Sequence, residues 1–376
     1  MRIVAQLVDG ESDRHLWAET YDRHLDDIFS IQTDVALHIA SALEAELSPD
    51  ERDRVERKPT EDLEAYQLFL QGRQWHIKYT TEALFRAIEY FERALERDAS
   101  FALPAAELAT SWLEIVESGV MEPADAYARA EDAVTRALRS DPDSSQAHAT
   151  WGYLRMVRDF AWEDAEREFR HALALSPSNA DAYDVYGRLC AAQGRFDESI
   201  AKMRRAQELD PLAHRIDVAT ALLRAGRYAD AEDRARAAVE IEPSNARARA
   251  TLGWARILLG QRSEGLADLE QAVRLAPGAN LWLAQLGQAY GMCGEETKAR
   301  GIARDLEKQA RTRFVSPYHL AYVYTGLGEL DRAIDQLEQA VRVRSGPAYG
   351  IKGSFLFVPL RDHPRFGALL RELKLA

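Results

Sequence analysis

The chain has 376 residues, 47% of them hydrophobic, and sets 61 Asp and Glu against 48 Lys and Arg for a formal charge of −13. That apolar share excludes wholesale disorder, and the acidic balance argues against a general nucleic-acid binder, whose affinity comes largely from Lys and Arg on phosphates. No apolar run approaches the ~18 residues of a membrane span, Met1–Gln6 lacks the apolar stretch of a signal peptide, and Cys190 and Cys293 cannot make a disulfide framework, so a cytoplasmic protein with no membrane segment is expected.

Residues 1–47 stand apart. Ile3–Val8 and His15–Tyr21 are β-rich runs around Asp9-Gly10-Glu11-Ser12-Asp13, which predicts a hairpin with a turn-forming loop. Asp26 and Asp27 then lead into Ile28, Ile31, Val35, Ile39, Ala42, Leu43 and Leu47, the apolar stripe of a helix. Two strands and one helix are a poor domain alone, because an isolated hairpin is marginal and its open edges invite pairing. Either upstream residues or a second copy of the chain, in a homodimer, is expected to complete the sheet. Residues 48–62, from Ser48 to Asp62, are nearly devoid of apolar side chains and read as a polar linker.

From 63 to 345 the chain repeats itself. Gly194, Gly226, Gly260, Gly294 and Gly328 are spaced by 32, 34, 34 and 34 residues. Gly152, Gly187, Ala219, Gly253, Gly287 and Ala321 keep nearly the same clock. So do Ala165, Ser199, Ala231, Gly265, Ala299 and Ala333, and Ala172, Ala206, Ala238, Ala272, Leu306 and Ala340. Pro142, Pro177, Pro211, Pro243 and Pro277 punctuate the units. This order of small residue, aromatic, Ala, bulky residue, Ala and Pro resembles the tetratricopeptide (TPR) repeat. The small residues let two helices cross closely, each Gly at a helix end supplies a left-handed cap, and each Pro stops the second helix. Phe169, Met203 and Leu337 fill the space between hairpins. Eight repeats are expected. Six begin near Ser145, Ala180, His214, Ala246, Asn280 and Phe314; the unit at 212–243 is two residues short, so its first helix should be clipped. Two irregular repeats precede them, through Gly72 and Ala94 and through Ala109 and Ala137, the latter with an insert holding Gly119 and Pro123. Residues 346–376 are a C-terminal extension ending in an amphipathic helix with Phe366, Leu369, Leu370 and Leu373 on one face, a cap for the last repeat. The predicted fold is therefore mainly α: a right-handed TPR solenoid of about eight hairpins, with a small N-terminal hairpin plus helix.

A second resemblance runs through Arg2–Asp9, His15–Arg23 and Leu25–Phe29, continues in Trp162–Arg170 and Val315–Ala321, and reaches Pro359–Phe366. Together these segments resemble the end of the TolB-like domain and the following TPR array of bacterial signalling proteins. The resemblance implies an N-terminal module elsewhere, such as a class III adenylate or guanylate cyclase, a winged-helix DNA-binding domain or a protein kinase. That module and most of the TolB-like sheet are not in this sequence, so this chain would be the C-terminal part of such a protein and would not carry its chemistry.

The search for chemistry returns no Walker loop, nucleophile elbow, HExxH or CxxC. The nine histidines show no ligand spacing, so no metal, cofactor or enzymatic activity is expected. Cys190 and Cys293 read as unbridged core cysteines, and Lys298, Arg300, Arg304, Lys308, Arg311 and Arg313 as a solvated outer helix face. Function then falls to the concave surface, which in TPR arrays is lined by the first helix of each repeat. That phase puts Tyr153, Met156, Asp184, Arg188, Arg247, Trp254, Gln285, Gln288, Tyr318, His319 and Tyr322 in the groove, with Trp254, Tyr318 and Tyr322 as anchors for a protein or peptide partner. The carboxylate clamp of some relatives would need Lys and Asn where Asp184 and Arg188 stand, so recognition of a chaperone's acidic tail is not expected. The prediction is a non-enzymatic interaction scaffold.

Overall fold

The computed structural model describes residues 2–9, 12–22, 28–42, 56, 58–78 and 80–376, and the chain divides into two compact units, Met1–Gln67 and Leu68–Ala376. In the first, β1 (Arg2–Val8) pairs antiparallel with β2 (His15–Asp22), Arg2 opposite Asp22 and Leu7 opposite Trp17. Asp9 closes the hairpin by accepting the Ser12 hydroxyl at 2.8 Å. Helix α1 (Ile28–Ala42) packs on β2, with the His38 ring stacked on Trp17 at 5.4 Å and Tyr21, Phe29 and Ile31 buried. Gly10 and Glu11 of the expected turn, Leu43 and Leu47 of the expected stripe, and residues 48–55 and 57 of the expected linker lie outside the described residues.

Eight helical hairpins follow, as the periodicity predicts. They are α2 (Leu63–His76) with α3 (Thr81–Arg97), α4 (Ala102–Ser118) with α5 (Pro123–Ser140), α6 (Ser145–Asp159) with α7 (Trp162–Leu175), and α8 (Ala180–Gln193) with α9 (Phe196–Leu209). The remaining four are α10 (Asp217–Arg224) with α11 (Tyr228–Ile241), α12 (Ala246–Leu258) with α13 (Arg262–Leu275), α14 (Asn280–Met292) with α15 (Glu296–Gln309), and α16 (Pro317–Gly326) with α17 (Leu330–Arg342). Helix α10 is clipped to 8 residues where α8 has 14. Within the second unit, the first helices α4, α6, α8, α10, α12, α14 and α16 touch one another in succession and form the inner layer; the second helices lie outside them.

Local chemistry starts and stops these helices. Thr80, Ser144, Asn179 and Asn245 accept backbone N–H groups of the first turns of α3, α6, α8 and α12. Close crossing needs the small residues: a Cβ on Gly253 would stand 2.8 Å from the Gly265 carbonyl oxygen. The glycine that ends each first helix is left-handed from Gly194 to Gly328. One repeat earlier the same place holds Phe160, also left-handed at φ 50°. Its ring lies 4.1 Å from the Arg344 guanidinium and 6.3 Å from Trp162, contacts that offset the ~1–2 kcal/mol strain of a side chain in this region.

The end of the second unit folds back on its beginning, which the periodicity did not predict. The Tyr127 hydroxyl of α5 donates to the Arg344 carbonyl at 2.9 Å, and the Trp162 indole of α7 donates to the Leu373 carbonyl at 2.7 Å. The C-terminal helix α18 (Pro364–Glu372) buries Phe366 and Leu369 and pairs Arg365 with Asp335 and Glu338 of α17. It is thus more than the expected cap, since it also ties the last repeat to the third. Gly119, left-handed after α4, sits against α16, and a Cβ there would lie 2.6 Å from Ser316 Cβ and 2.7 Å from His319 Cε1. Gly119→Ala should therefore cost more than the ~1–2 kcal/mol of left-handed strain alone, read as a lower urea midpoint.

Candidate functional site

The chain leaves α17 through two left-handed residues, Arg344 and Gly346, and enters the inner face. Two 3₁₀ turns, Ala348–Gly350 and Phe355–Leu360, carry the contacts. Phe357 is fully buried, stacked on Tyr322 at 5.1 Å and edge-on to Tyr318 at 5.2 Å. Phe355 meets the Trp254 ring at 5.7 Å, and Gln288 Nε2 donates to the Leu356 carbonyl at 2.6 Å. The Tyr349 hydroxyl donates to Glu117 at 2.7 Å. The fit is close: a Cβ on Gly353 would stand 2.0 Å from the Ala191 carbonyl oxygen of α8.

This segment changes the surroundings of the residues expected to line an open groove. Trp254, Tyr318 and Tyr322 are on the inner layer, but the segment 345–360 covers them and all three are buried. Trp254 is held further by donating to Gln285 Oε1 at 2.8 Å, and Gln288 is spent on the segment itself. Met156 and Tyr153 are buried in the packing of α6, with Arg188 donating to the Tyr153 hydroxyl at 3.4 Å. His319 is fully buried on the side of α16 that faces Gly119. Asp184, Arg188 and Arg247 belong to a network of ion pairs. The phase reasoning missed the segment because Phe355 and Phe357 fall after the last repeat, where no period marks them.

The network runs along the inner helices. Arg73 of α2 pairs with Glu107 of α4 at 3.0 Å, and His76 with Glu114 at 2.7 Å. Asp184 pairs with Arg188 at 2.8 Å, and Arg188 with Glu117 at 3.3 Å. His214 stands between Asp217 at 2.9 Å and Asp181 at 3.2 Å, and Asp217 meets Arg247 at 2.5 Å. Burial opposes charge on both imidazoles, but Glu114 lifts His76 to about 9, and Asp181 and Asp217 lift His214 to about 10. Burial also opposes charge on Asp181, yet the His214 hydrogen bond and Arg73 bring its carboxyl down to about 2. Among the described residues, one group of three candidate metal ligands, Asp184, His214 and Asp217, brings its ligand atoms within 4.8 Å of one another. They do not fit a metal site, because both His214 nitrogens already face carboxylates and Arg188 and Arg247 answer the acids. Of this network the sequence reasoning found Asp184, Arg188 and Arg247. A usable signal for the rest was charge at the repeat spacing, as in Arg73 and Glu107, 34 residues apart.

His319 is the opposite case. Neither ring nitrogen has a partner among the described residues, and burial pushes the imidazole down to about 4. An unsatisfied buried polar group costs about 1–3 kcal/mol, so His319→Leu should raise the thermal midpoint at pH 7, by about 1 kcal/mol of added stability. A loss of stability would show that the ring nitrogens are satisfied after all.

A cavity of about 650 Å³ lies between the inner helices and the C-terminal segment. Trp254, Trp282, Tyr318, Tyr322 and Tyr349 supply rings, and Glu114, Glu117, Asp217, Arg188, Arg224 and Arg247 supply charge. Burial pushes the Cys190 thiol up to about 11, which keeps it protonated and a poor nucleophile. The basic residues of α15 lie on its outer face, where Arg300 pairs with Glu296 and Glu329. Among the described residues, no helix is long and apolar enough to cross a membrane.

Comparison with known proteins agrees with this architecture. Residues 161–214 and 217–280, and residues 318–346, match family models described as tetratricopeptide repeat. The chain is 33% identical over 151 residues to "Putative adenylate cyclase 3" of Rhizobium meliloti, covering 40% of this chain and 26% of that protein. It is 22% identical over 149 residues to "Transcriptional regulator HilA" of Salmonella typhimurium, covering 40% and 27%. The chain thus spans about a quarter of the length of the curated relatives it matches. Human IFIT1, solved as a dimer with m7Gppp-AAAA, shares the fold at 16% identity and a TM-score of 0.52, over 83% of this chain and 76% of that one. The chain is mainly α, carries tetratricopeptide repeats in those segments, and has a small N-terminal sheet of two strands among the described residues.

Proposed function

We propose that the inner face recognises a protein segment, and that the chain is a non-enzymatic scaffold serving as a regulatory part of a cytoplasmic bacterial signalling protein. The observation that carries this is the docked segment 345–360: the inner helices already hold an irregular peptide by ring stacking and by a side-chain amide on a main-chain carbonyl. A partner using Trp254, Gln285, Gln288, Tyr318 or Tyr322 competes with that segment, and one using Asp184, Arg188 or Arg247 extends along it; Tyr153, Met156 and His319 are buried away from it. Trp254→Ala is a poor test because the ring is buried. A synthetic peptide spanning residues 345–361 is a better one. Added in excess, it should release a protein captured on the full chain; release by a scrambled peptide, or none by the true one, would count against the inner face.

The kinship to "Putative adenylate cyclase 3" supports a second reading, in which the chain is the C-terminal part of a nucleotide cyclase whose catalytic domain lies upstream. Genomic sequence before Met1 tests it: an open frame encoding a cyclase supports it, and an unrelated gene removes it. The third reading concerns assembly. The sheet has two strands among the described residues, and edge pairing with a second copy would complete it. Light scattering at tens of micromolar should then give twice the chain mass; a monomer removes this reading.

A further inference from the structure

We infer that the cavity behind the C-terminal segment binds an uncharged aromatic molecule that presents a hydrogen-bond acceptor, such as the oxygen of a ketone or an amide. Three observations lead there. The first is the space. About 650 Å³ falls within the ~300–1,000 Å³ typical of small-molecule sites, and the lining is more apolar than polar. Trp254, Trp282, Tyr318 and Phe355 offer ring faces and edges to a flat apolar body.

The second is the charge balance. The network that borders the cavity sets Glu107, Glu114, Glu117, Asp181, Asp184 and Asp217 against Arg73, His76, Arg188, His214 and Arg247. Arg224, half-buried in the cavity wall, supplies the sixth cation. Its charge acts on the Tyr349 hydroxyl, which donates to Glu117. Glu82 and Arg313 stand exposed at the rim and offset one another. The protein thus answers its own charges. An ionic ligand of either sign would bring a charge with no counter-charge, at a desolvation cost that an uncharged molecule avoids.

The third is the hydrogen bonding left over. Trp254 spends its indole N–H on Gln285 Oε1 at 2.8 Å, and the Thr220 and Thr251 hydroxyls donate to the Ile216 and Arg247 carbonyls one turn back. The half-buried Trp282, one turn before Gln285 on α14, lines the cavity, and its indole N–H has no partner among the described residues. The Gln285 Nε2 group is likewise without one. Both groups can only donate. Two donors on one wall, with rings beside them, suit a flat molecule whose acceptor meets α14. This ligand is distinct from a partner segment, so it binds whether or not the inner face recognises protein.

The test uses the full chain and three fluorescent probes of one shape: 6-propionyl-2-(dimethylamino)naphthalene, an uncharged ketone; 6-propyl-2-(dimethylamino)naphthalene, which lacks the carbonyl; and 6-(dimethylamino)naphthalene-2-carboxylate, an anion. The ketone should bind saturably at one site, with energy transfer from tryptophan, and about ten-fold or more tighter than the carboxylate. Trp282→Phe keeps a ring and removes the indole N–H. It should weaken the ketone about three-fold or more, the scale of one hydrogen bond, and leave the propyl compound within about two-fold. Thr220→Phe, which fills the cavity from the α10 wall, should weaken both. Near-ultraviolet circular dichroism checks that each variant keeps its packing, because apolar dyes also bind loosened proteins. Should a variant fail to fold, the unmodified chain still decides through the ketone and the carboxylate. No saturable site, a carboxylate bound as tightly as the ketone, ketone binding unchanged in folded Trp282→Phe or Thr220→Phe, or equal losses of ketone and propyl compound in Trp282→Phe would overturn the inference.

Discussion

Phe357→Ala should lower the stability of the repeat array by about 3–5 kcal/mol, the range for truncating a buried phenylalanine. The ring is fully buried between Tyr318 and Tyr322, and only a short 3₁₀ turn carries it there. Its removal leaves a hole and also unseats the segment that covers Trp254. Two readouts should move together: the urea midpoint should fall, and tryptophan emission should shift to the red as the Trp254 indole meets water. Val358→Ala, at an exposed neighbour, is the control and should change stability by less than about 0.5 kcal/mol. If the two variants behave alike, segment 345–360 is not seated on the inner face.

The second large effect lies in the ion pairs. Asp217→Ala leaves a buried imidazolium at His214 and a guanidinium at Arg247 without their shared acid, and breaking a buried pair in this way costs about 3–5 kcal/mol. The pH profile adds a sharper expectation. His76 and His214 are raised in the folded chain to about 9 and about 10, so the stability they contribute is complete below the unfolded value near 6.5 and is lost as pH climbs through 9 and 10. His319 is lowered to about 4, so its unfolded form takes up a proton first and stability falls as pH drops from 6.5 toward 4. The three histidines together set a maximum near pH 6.5. Below about 4 the depressed Asp181 carboxyl adds its own loss. Thermal midpoints measured from pH 4 to 10 check this shape. Asp217→Ala should flatten the alkaline limb and His319→Leu the acid limb between 6.5 and 4.

Much of the architecture was readable from spacing alone. The glycine and alanine series placed eight hairpins, and the two missing residues at 212–243 foretold the clipped helix α10. Phe160 escaped, since a left-handed phenylalanine carries no local mark and depends on Arg344, which stands 184 positions later in the chain. The inner-face phase put Trp254, Tyr318 and Tyr322 on the correct helices but left open what they touch. Periodicity reports how a repeat packs on its neighbour. It is silent on a non-repeating strip of chain that returns across several repeats, and Phe355 and Phe357 sit in such a strip. His214 escaped for a related reason: its two acids come from neighbouring hairpins, and proximity between them exists only once the hairpins stack.

Gly119 has a further bearing on how the molecule comes apart. In an open row of repeats each unit holds only the next, so such rows fray from their ends and unfold in stages. Here the turn at Gly119 lies against Ser316 and His319, about two hundred residues away in sequence, and Tyr127 reaches Arg344 across a similar distance. The late repeats cannot loosen without breaking the seam that joins them to the second and third repeats. Residues 102–376 should therefore melt in a single transition and resist proteolysis at the C-terminal end. They should refold slowly, because the loop that the seam closes must form before its contacts can reward it.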